Sequence, residues 1–437
     1  MANKLVVLSF DALQTNDLEQ LSRLPYFSQI LKKASVVNHI REIYPTLTYP
    51  IHTTIITGVH PDKHGISHNQ KASIDPKDPD WSIMGSDWYW EKENIKVKTL
   101  VDTVWEQGGN VATVLWPVTA GDNRGYNIPE IWPVRGSEQK AKEVYAKASS
   151  PLAMRDYYDR YIAHYDWSNN EDMVYYGVEI ALDILKKQKP NLLLCHLVHL
   201  DHIRHLYGDQ GREVNNCLKQ LDIIAERFIQ ATREAGTFEE TNFIILGDHG
   251  QIDIDTVFNL NVLLKDMGFI RIDACGKAES FDAYSFSAGF STQIMLANSD
   301  DQQLEQKVYA ALLDIQMRYP QYIERVYKAD EVEREEHLKG DFSFVLEGTL
   351  GTLFQNSLTD SLIIPFGSSE YKFYRAMHGH HPAKGNKPPL IAFGPDILPS
   401  ERLISGDMMS IYPTLALLLG VSIPEVVDGK PFPILKT

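Results

Sequence analysis

Lys4-Leu-Val-Val-Leu-Ser-Phe-Asp11 decides the fold class. Its apolar residues run on without alternation and stop at an acid. A strand buried on one face alternates apolar and polar residues; a strand of a parallel sheet covered on both faces does not. Four more runs share the pattern, at 111–116, 191–197, 243–246 and Leu390–Phe393. Amphipathic stretches separate them, at 21–33, 97–107, 171–188, 213–235 and 408–419. Strand and helix patterns in alternation predict an α/β fold with a central, mostly parallel sheet flanked by helices.

The regularity lapses between 259 and 373, where the charged run Asp330-Glu-Val-Glu-Arg-Glu-Glu336 reads as a solvated helix face. The predicted organisation is a discontinuous core, residues 1–258 and 374–437, with an inserted α+β cap at 259–373. A second insertion-like stretch, 67–95, is rich in Asp, Trp and Pro.

Composition narrows the function classes. The 437 residues carry 42 Lys+Arg against 58 Asp+Glu, a net charge of −16. That balance disfavours a nucleic-acid polymer or an anionic membrane surface as the main partner. Hydrophobic residues make up 43% and charged residues 23%, enough for an ordinary core. No apolar run reaches the roughly 18 residues that span a bilayer. The apolar run at the start is too short for a signal peptide and has no cleavage site, so a cytoplasmic protein is expected. Cys195, Cys217 and Cys275 show no C-x-x-C pairing and read as free thiols.

Open parallel sheets bind ligands beyond the carboxyl ends of their strands. Three predicted strands end in metal-ligand types: Asp11; Asp201 with His205 four residues on; and Asp248-His249-Gly250. On a helix, positions i and i+4 share a face, so Asp201 and His205 can converge on one ion. A loop eased by Gly250 can splay Asp248 and His249 toward ions. A nucleophile candidate lies in Tyr44-Pro-Thr-Leu-Thr-Tyr-Pro-Ile-His52. Thr48 precedes Tyr49-Pro50 and an apolar-periodic segment, which places it at a helix N-terminus, a site favourable to phosphate. Thr46 competes for the same role.

These residues resemble the alkaline phosphatase superfamily, in its nucleotide pyrophosphatase/phosphodiesterase branch. The likeness rests on Pro45-Thr-Leu-Thr-Tyr-Pro50 with Thr57-Gly58, Pro61-Asp-Lys-His-Gly-Ile66, Gly247-Asp-His-Gly250, His378-Gly379 and Asp428-Gly429. It implies two zinc ions, one held by Asp201, His205 and His378, the other by Asp11, Thr48, Asp248 and His249. It further implies a Thr48 nucleophile, a covalent phosphothreonine, Asn69 as a phosphate-binding group, and a small phosphate ester as substrate. Tyr49, Trp116 and His202 are the expected substrate-contacting residues. The sequence departs from the branch at His196, Leu200 and Ile51, which bears on nucleotide preference more than on catalysis. His52 and His64 read as loop braces. His380 and His381 compete with His378, and the three-residue spacing of His196, His199, His202 and His205 reads as coincidence apart from His205.

The resemblance implies a two-zinc hydrolase of phosphodiester or pyrophosphate bonds. A phosphonoacetate-hydrolase-like C–P hydrolase is the alternative, followed by a phosphomonoesterase and an inactive metal-binding relative.

Overall fold

A computed structural model of the chain describes residues 3–72, 88–133 and 139–436. Part of the insertion-like stretch, 73–87, lies outside the described residues. Among these residues the central sheet has eight strands: β1 (Lys4–Phe10), β2 (Ser35–Val37), β3 (Val111–Val114), β4 (Tyr126–Ile128), β5 (Leu192–Leu197), β6 (Thr241–Leu246), β7 (Leu390–Phe393) and β8 (Arg402–Leu403). Their spatial order is β8-β2-β7-β6-β1-β5-β3-β4. β1 lies between β5 and β6, parallel to both, with Leu8 opposite Cys195 and Ile245. β7 alone runs against its neighbours, β6 and β2. The predicted mostly parallel α/β architecture is the observed one.

The unbroken apolar runs follow from burial on both sides. Val6, Leu8 and Phe10 of β1 point into one apolar cluster, and Leu5 and Val7 into another. The first is closed by the helices Asn170–Gln188 and Arg212–Ala235, the second by Thr48–Thr57 and Ile411–Leu419. Helix Arg212–Ala235 shows the amphipathic logic: Val214, Cys217, Leu218, Leu221, Ala225 and Phe228 are buried at three- and four-residue spacings. The helix expected over 21–33 is two helices, Asp17–Leu21 and Phe27–Lys33. Pro25 lies between them; it offers no N–H and restricts the residue before it. The stretch 408–419 likewise opens with a 3₁₀ turn, Met408–Ser410, before helix Ile411–Leu419.

Between 259 and 373 the chain builds a four-stranded sheet in the order Ala283–Ser287, Ser291–Leu296, Phe344–Gly348, Ile323–Lys328. Helices Gln302–Arg318 and Ala329–Glu336 accompany it, over a separate apolar cluster that includes Phe286, Ile294, Leu312 and Phe344. The charged run is a helix face with only Val332 buried. All three cysteines are free. Among the described residues no helix is long and apolar enough to cross a membrane.

The sheet meets the site through one sharp turn. Directly after Asp11, Ala12 adopts φ +58° and aims its N–H at Asp248 Oδ1, 3.0 Å away. A left-handed conformation costs an L-residue roughly 1–2 kcal/mol, more than the extra flexibility of glycine costs. Ala12→Gly is therefore expected to keep the fold and to stabilise it by about 0.5–1 kcal/mol. Denaturant titration checks this, and a net loss of stability would mean that the Ala12 methyl contributes more packing than its backbone stores as strain.

Candidate active site

Thr48 opens the helix Thr48–Thr57, with the extended Leu47 before it. One turn on, His52 Nδ1 donates to the Thr48 carbonyl at 2.8 Å, and its Nε2 lies 2.8 Å from the Ser9 hydroxyl. The N–H of Tyr49 donates to Asn69 Oδ1 at 2.9 Å. The helix thus uses the carbonyl end of Asn69, and the amide N–H₂ remains for a ligand.

Two groups of donor atoms meet beside Thr48. In the first, His249 Nε2 lies 3.1 Å from Thr48 Oγ, 3.3 Å from Asp11 Oδ1 and 3.3 Å from Asp248 Oδ2. In the second, Asp201 Oδ2 is 3.0 Å from His205 Nε2, and Asp201 Oδ1 is 3.8 Å from His378 Nε2. Asp201 also has a donor atom within 4.8 Å of donors of Asp11 and His249, so the two groups adjoin. Asp201 and His205 share a face of helix His199–Tyr207, as their spacing predicts. The outer nitrogens of both imidazoles in this second group are fixed by backbone: His205 Nδ1 donates to the Ala376 carbonyl at 2.8 Å and His378 Nδ1 to the Thr46 carbonyl at 2.9 Å. Such bonds orient the ring and free Nε2 for a metal. Gly250 permits close approach of the neighbouring loop, since a Cβ there would stand 1.9 Å from the Asn386 carbonyl oxygen.

Every member of the seven-residue set implied by the resemblance stands at this point, and so does Asn69. Thr46 is turned away: its hydroxyl donates to the His380 carbonyl. His381 pairs with Glu336, and His380 is buried among Lys387 and Gly385. His52 braces the Thr48 helix, and His64 meets Thr54 Oγ at 3.0 Å.

Two expectations are corrected. Tyr49 and Trp116 are completely buried, and neither lines the cavity of about 740 Å³ that opens over Thr48 and Asn69. Trp88 covers the Tyr49 ring, and Trp116 packs on His52 beneath the Thr48 helix. The indoles that do line the cavity are Trp88 and Trp132. His202 lines it as expected. Four residues were not anticipated. Glu130 is buried in the cavity wall and accepts a hydrogen bond from Trp132 Nε1 at 2.7 Å. Gln251 holds Asp201 through its amide. Tyr374 stacks on His205 with ring centroids 4.8 Å apart. His196 lies 3.2 Å from Asp11 Oδ2. Two of them leave a trace in the sequence: Glu130, as a lone acid within the otherwise uncharged Ile128-Pro-Glu-Ile-Trp132, and His196, which stands out as a departure from the branch.

The electrostatics are unbalanced. Among the described residues, the ion pairs of Asp11, Asp201 and Asp248 are with histidines only. Asp11 Oδ1 and Asp248 Oδ2 are buried without a hydrogen-bond donor among the described residues. Burial, reinforced by the Asp248 charge, pushes the Asp11 carboxyl well above the usual range. Burial also raises Asp248, and it lifts Glu130 to about 8. Burial pushes Asp201 up as well, but His205, His378 and His249 together outweigh it and hold Asp201 low. Conversely, burial lowers His205, yet Asp201 outweighs it and raises the ring. His249 falls to about 4 and His378 to about 3, chiefly through burial, so both rings are neutral at neutral pH and each keeps one unprotonated nitrogen. Buried acids that lack a basic partner, next to imidazoles held neutral, form a donor set suited to a divalent cation with mixed N and O preference, such as zinc.

The sign of the pH dependence follows. Asp11, Asp248 and His205 hold protons more tightly than free side chains do, and a cation bound there displaces them. Zinc affinity should therefore rise from pH 6 to pH 8 with net proton release. Calorimetry in buffers of different ionisation enthalpy measures this; a pH-independent affinity would contradict the donor assignment.

Comparison with known proteins agrees with this geometry. A family model described as type I phosphodiesterase / nucleotide pyrophosphatase matches residues 5–379. An uncharacterized pyrophosphatase/phosphodiesterase of Schizosaccharomyces pombe is 24% identical over 281 residues, covering 59% of this chain and 48% of that protein. The bis(5'-adenosyl)-triphosphatase ENPP4 of Pongo abelii is 22% identical over 273 residues, 62% of this chain and 53% of that protein. Human ectonucleotide pyrophosphatase/phosphodiesterase family member 1 is 25% identical over 57% of this chain and 24% of its own length. The chain thus spans about half, or less, of the length of these curated relatives. Among solved structures, an inactive variant of murine ectonucleotide pyrophosphatase/phosphodiesterase 5 in complex with AMP superimposes with a TM-score of 0.68 at 19% identity, covering 99% of this chain and 100% of that one. The match over residues 5–379 takes in every strand end that carries a site residue, and on it the chain belongs to the type I phosphodiesterase/nucleotide pyrophosphatase family of the alkaline phosphatase superfamily.

Proposed function

We propose that this chain is a two-zinc hydrolase of small-molecule phosphodiester or pyrophosphate bonds, with Thr48 as a covalently phosphorylated nucleophile. The observation that carries the reading is the convergence of Thr48 Oγ, Asp11 Oδ1 and Asp248 Oδ2 on His249 Nε2, all within 3.3 Å. Asp11, Thr48, Asp248 and His249 would hold one ion, and Asp201, His205 and His378 the other. Bound there, zinc supplies Lewis acidity that makes the Thr48 hydroxyl nucleophilic at neutral pH and offsets charge on a departing oxygen.

The remaining steps belong to the chain's own residues. Thr48 Oγ attacks phosphorus, a P–O bond to Thr48 forms, and the bond to the leaving alcohol or phosphate breaks. The Asn69 amide donates to a non-bridging phosphoryl oxygen, as does the N–H at the start of the Thr48 helix. His52, bonded to the Thr48 carbonyl, holds the first helical turn in place. Water then attacks phosphorus, cleaves the phosphothreonine and restores Thr48. The C–P hydrolase alternative needs a partner for the substrate's carboxylate, and among the described cavity-lining residues none is Lys or Arg.

Thr48→Ala should lower kcat toward a p-nitrophenyl phosphodiester by at least about a thousandfold while leaving zinc stoichiometry intact. Mass spectrometry of acid-quenched wild-type reactions should find the substrate's phosphoryl group, still esterified to its retained alcohol, on the Thr48 peptide. Turnover at wild-type rates by Thr48→Ala overturns the nucleophile. Faster cleavage of p-nitrophenyl phosphate than of the diester overturns the diesterase assignment.

A further inference from the structure

Tyr49 follows Thr48 in the chain, yet the cavity does not reach its ring. Trp88 packs against that ring at a tilt, with centroids 5.1 Å apart and planes at 56°. Trp132 stands beyond Trp88, at 6.3 Å and 42°. Trp88 and Trp132 line the cavity together with Thr48 and Asn69. Neither indole is loosely placed. The Trp88 backbone bridges to Gln70, and the next residue, Tyr89, donates its N–H to the Asn69 carbonyl at 2.9 Å. Trp132 is tied through Nε1 to Glu130.

We propose that Trp88 is a specificity-determining residue: its indole caps the Tyr49 ring and shifts the aromatic surface offered to the substrate's organic group one ring away from Thr48. A flat ring esterified close to phosphorus would need the space that Trp88 fills in order to stack on Tyr49. The site therefore favours diesters whose retained group is small or non-planar over nucleoside esters. This rests on the diesterase reading above.

Two p-nitrophenyl diesters with the same leaving group isolate the effect: one retains thymidine through its 5′ oxygen, the other a methyl group. Trp88→Ala should raise the thymidine-to-methyl ratio of kcat/KM by about tenfold, mainly through KM, because a base can then stack on Tyr49. Trp88→Leu should change the ratio in the same direction, which guards against a folding defect in the alanine variant. Adding Tyr49→Leu to Trp88→Ala should cancel the gain. An unchanged ratio overturns the proposal, and so does a lowered one, which would make Trp88 itself the stacking platform. A gain that survives Tyr49→Leu overturns the part assigned to Tyr49. Calorimetric binding of thymidine 5′-monophosphate against methyl phosphate needs no turnover and should tighten in Trp88→Ala; no tightening also overturns the proposal. If the wild type cleaves neither ester, the diesterase reading fails, and the binding experiment still decides the role of Trp88.

Discussion

Asp11, Asp201 and Asp248 stand in one buried pocket, and the structure around them is organised by the need to keep their charges there. Donor atoms of Asp11 and Asp201 lie within 4.8 Å of each other and of His249. Two unit charges at such a distance repel by roughly 4 kcal/mol at an effective dielectric of 20, before the cost of taking each out of water. The ordinary remedy is a lysine or arginine. Among the described residues the chain offers these three acids histidines instead, and it lowers His249 and His378 by burial so that they remain neutral. A neutral imidazole beside a buried carboxylate does little to cancel charge, but it is a good ligand. The arrangement suits a cation from outside the chain.

The fold makes this arrangement affordable by drawing the acids from strands that are rigid for other reasons. β1, β5 and β6 are adjacent, parallel and packed on both faces, so Asp11, Asp201 and Asp248 emerge beyond the carboxyl ends of neighbouring strands. Around them, backbone groups do most of the orienting. Ala12 N–H restrains Asp248, the Ala376 carbonyl restrains His205, and the Thr46 carbonyl restrains His378. The last contact also ties the second donor group to the loop that carries Thr48, so Thr48 and its neighbours form one unit.

Legibility in the sequence followed the physics of each feature. β1, β5, β6 and β7 were readable because a strand buried twice leaves an unbroken apolar signature, and the acids at their ends stand out against it. Asp201 and His205 were readable from helical periodicity. The helix break near Pro25 and the 3₁₀ turn at Met408–Ser410 were not, because local geometry there overrides a continuous amphipathic pattern. The cavity walls were least legible. Tyr49 has the chemistry of a stacking surface, and only its burial under Trp88, 39 positions away in the chain, removes it from the cavity. Gln251 and Tyr374 act through contacts between distant segments, for which a single sequence carries no periodic signal; His196 was visible as a departure from the branch, but its contact with Asp11 was not.

The claim most exposed to a direct test is that two divalent cations neutralise this pocket. X-ray diffraction from crystals of the zinc-loaded chain, collected on both sides of the zinc absorption edge, locates the ions without reference to activity. Two anomalous peaks are expected, one enclosed by Asp11, Thr48, Asp248 and His249 and the other by Asp201, His205 and His378. Crystals that show no peak among these side chains, or zinc bound only elsewhere on the molecule, would contradict it.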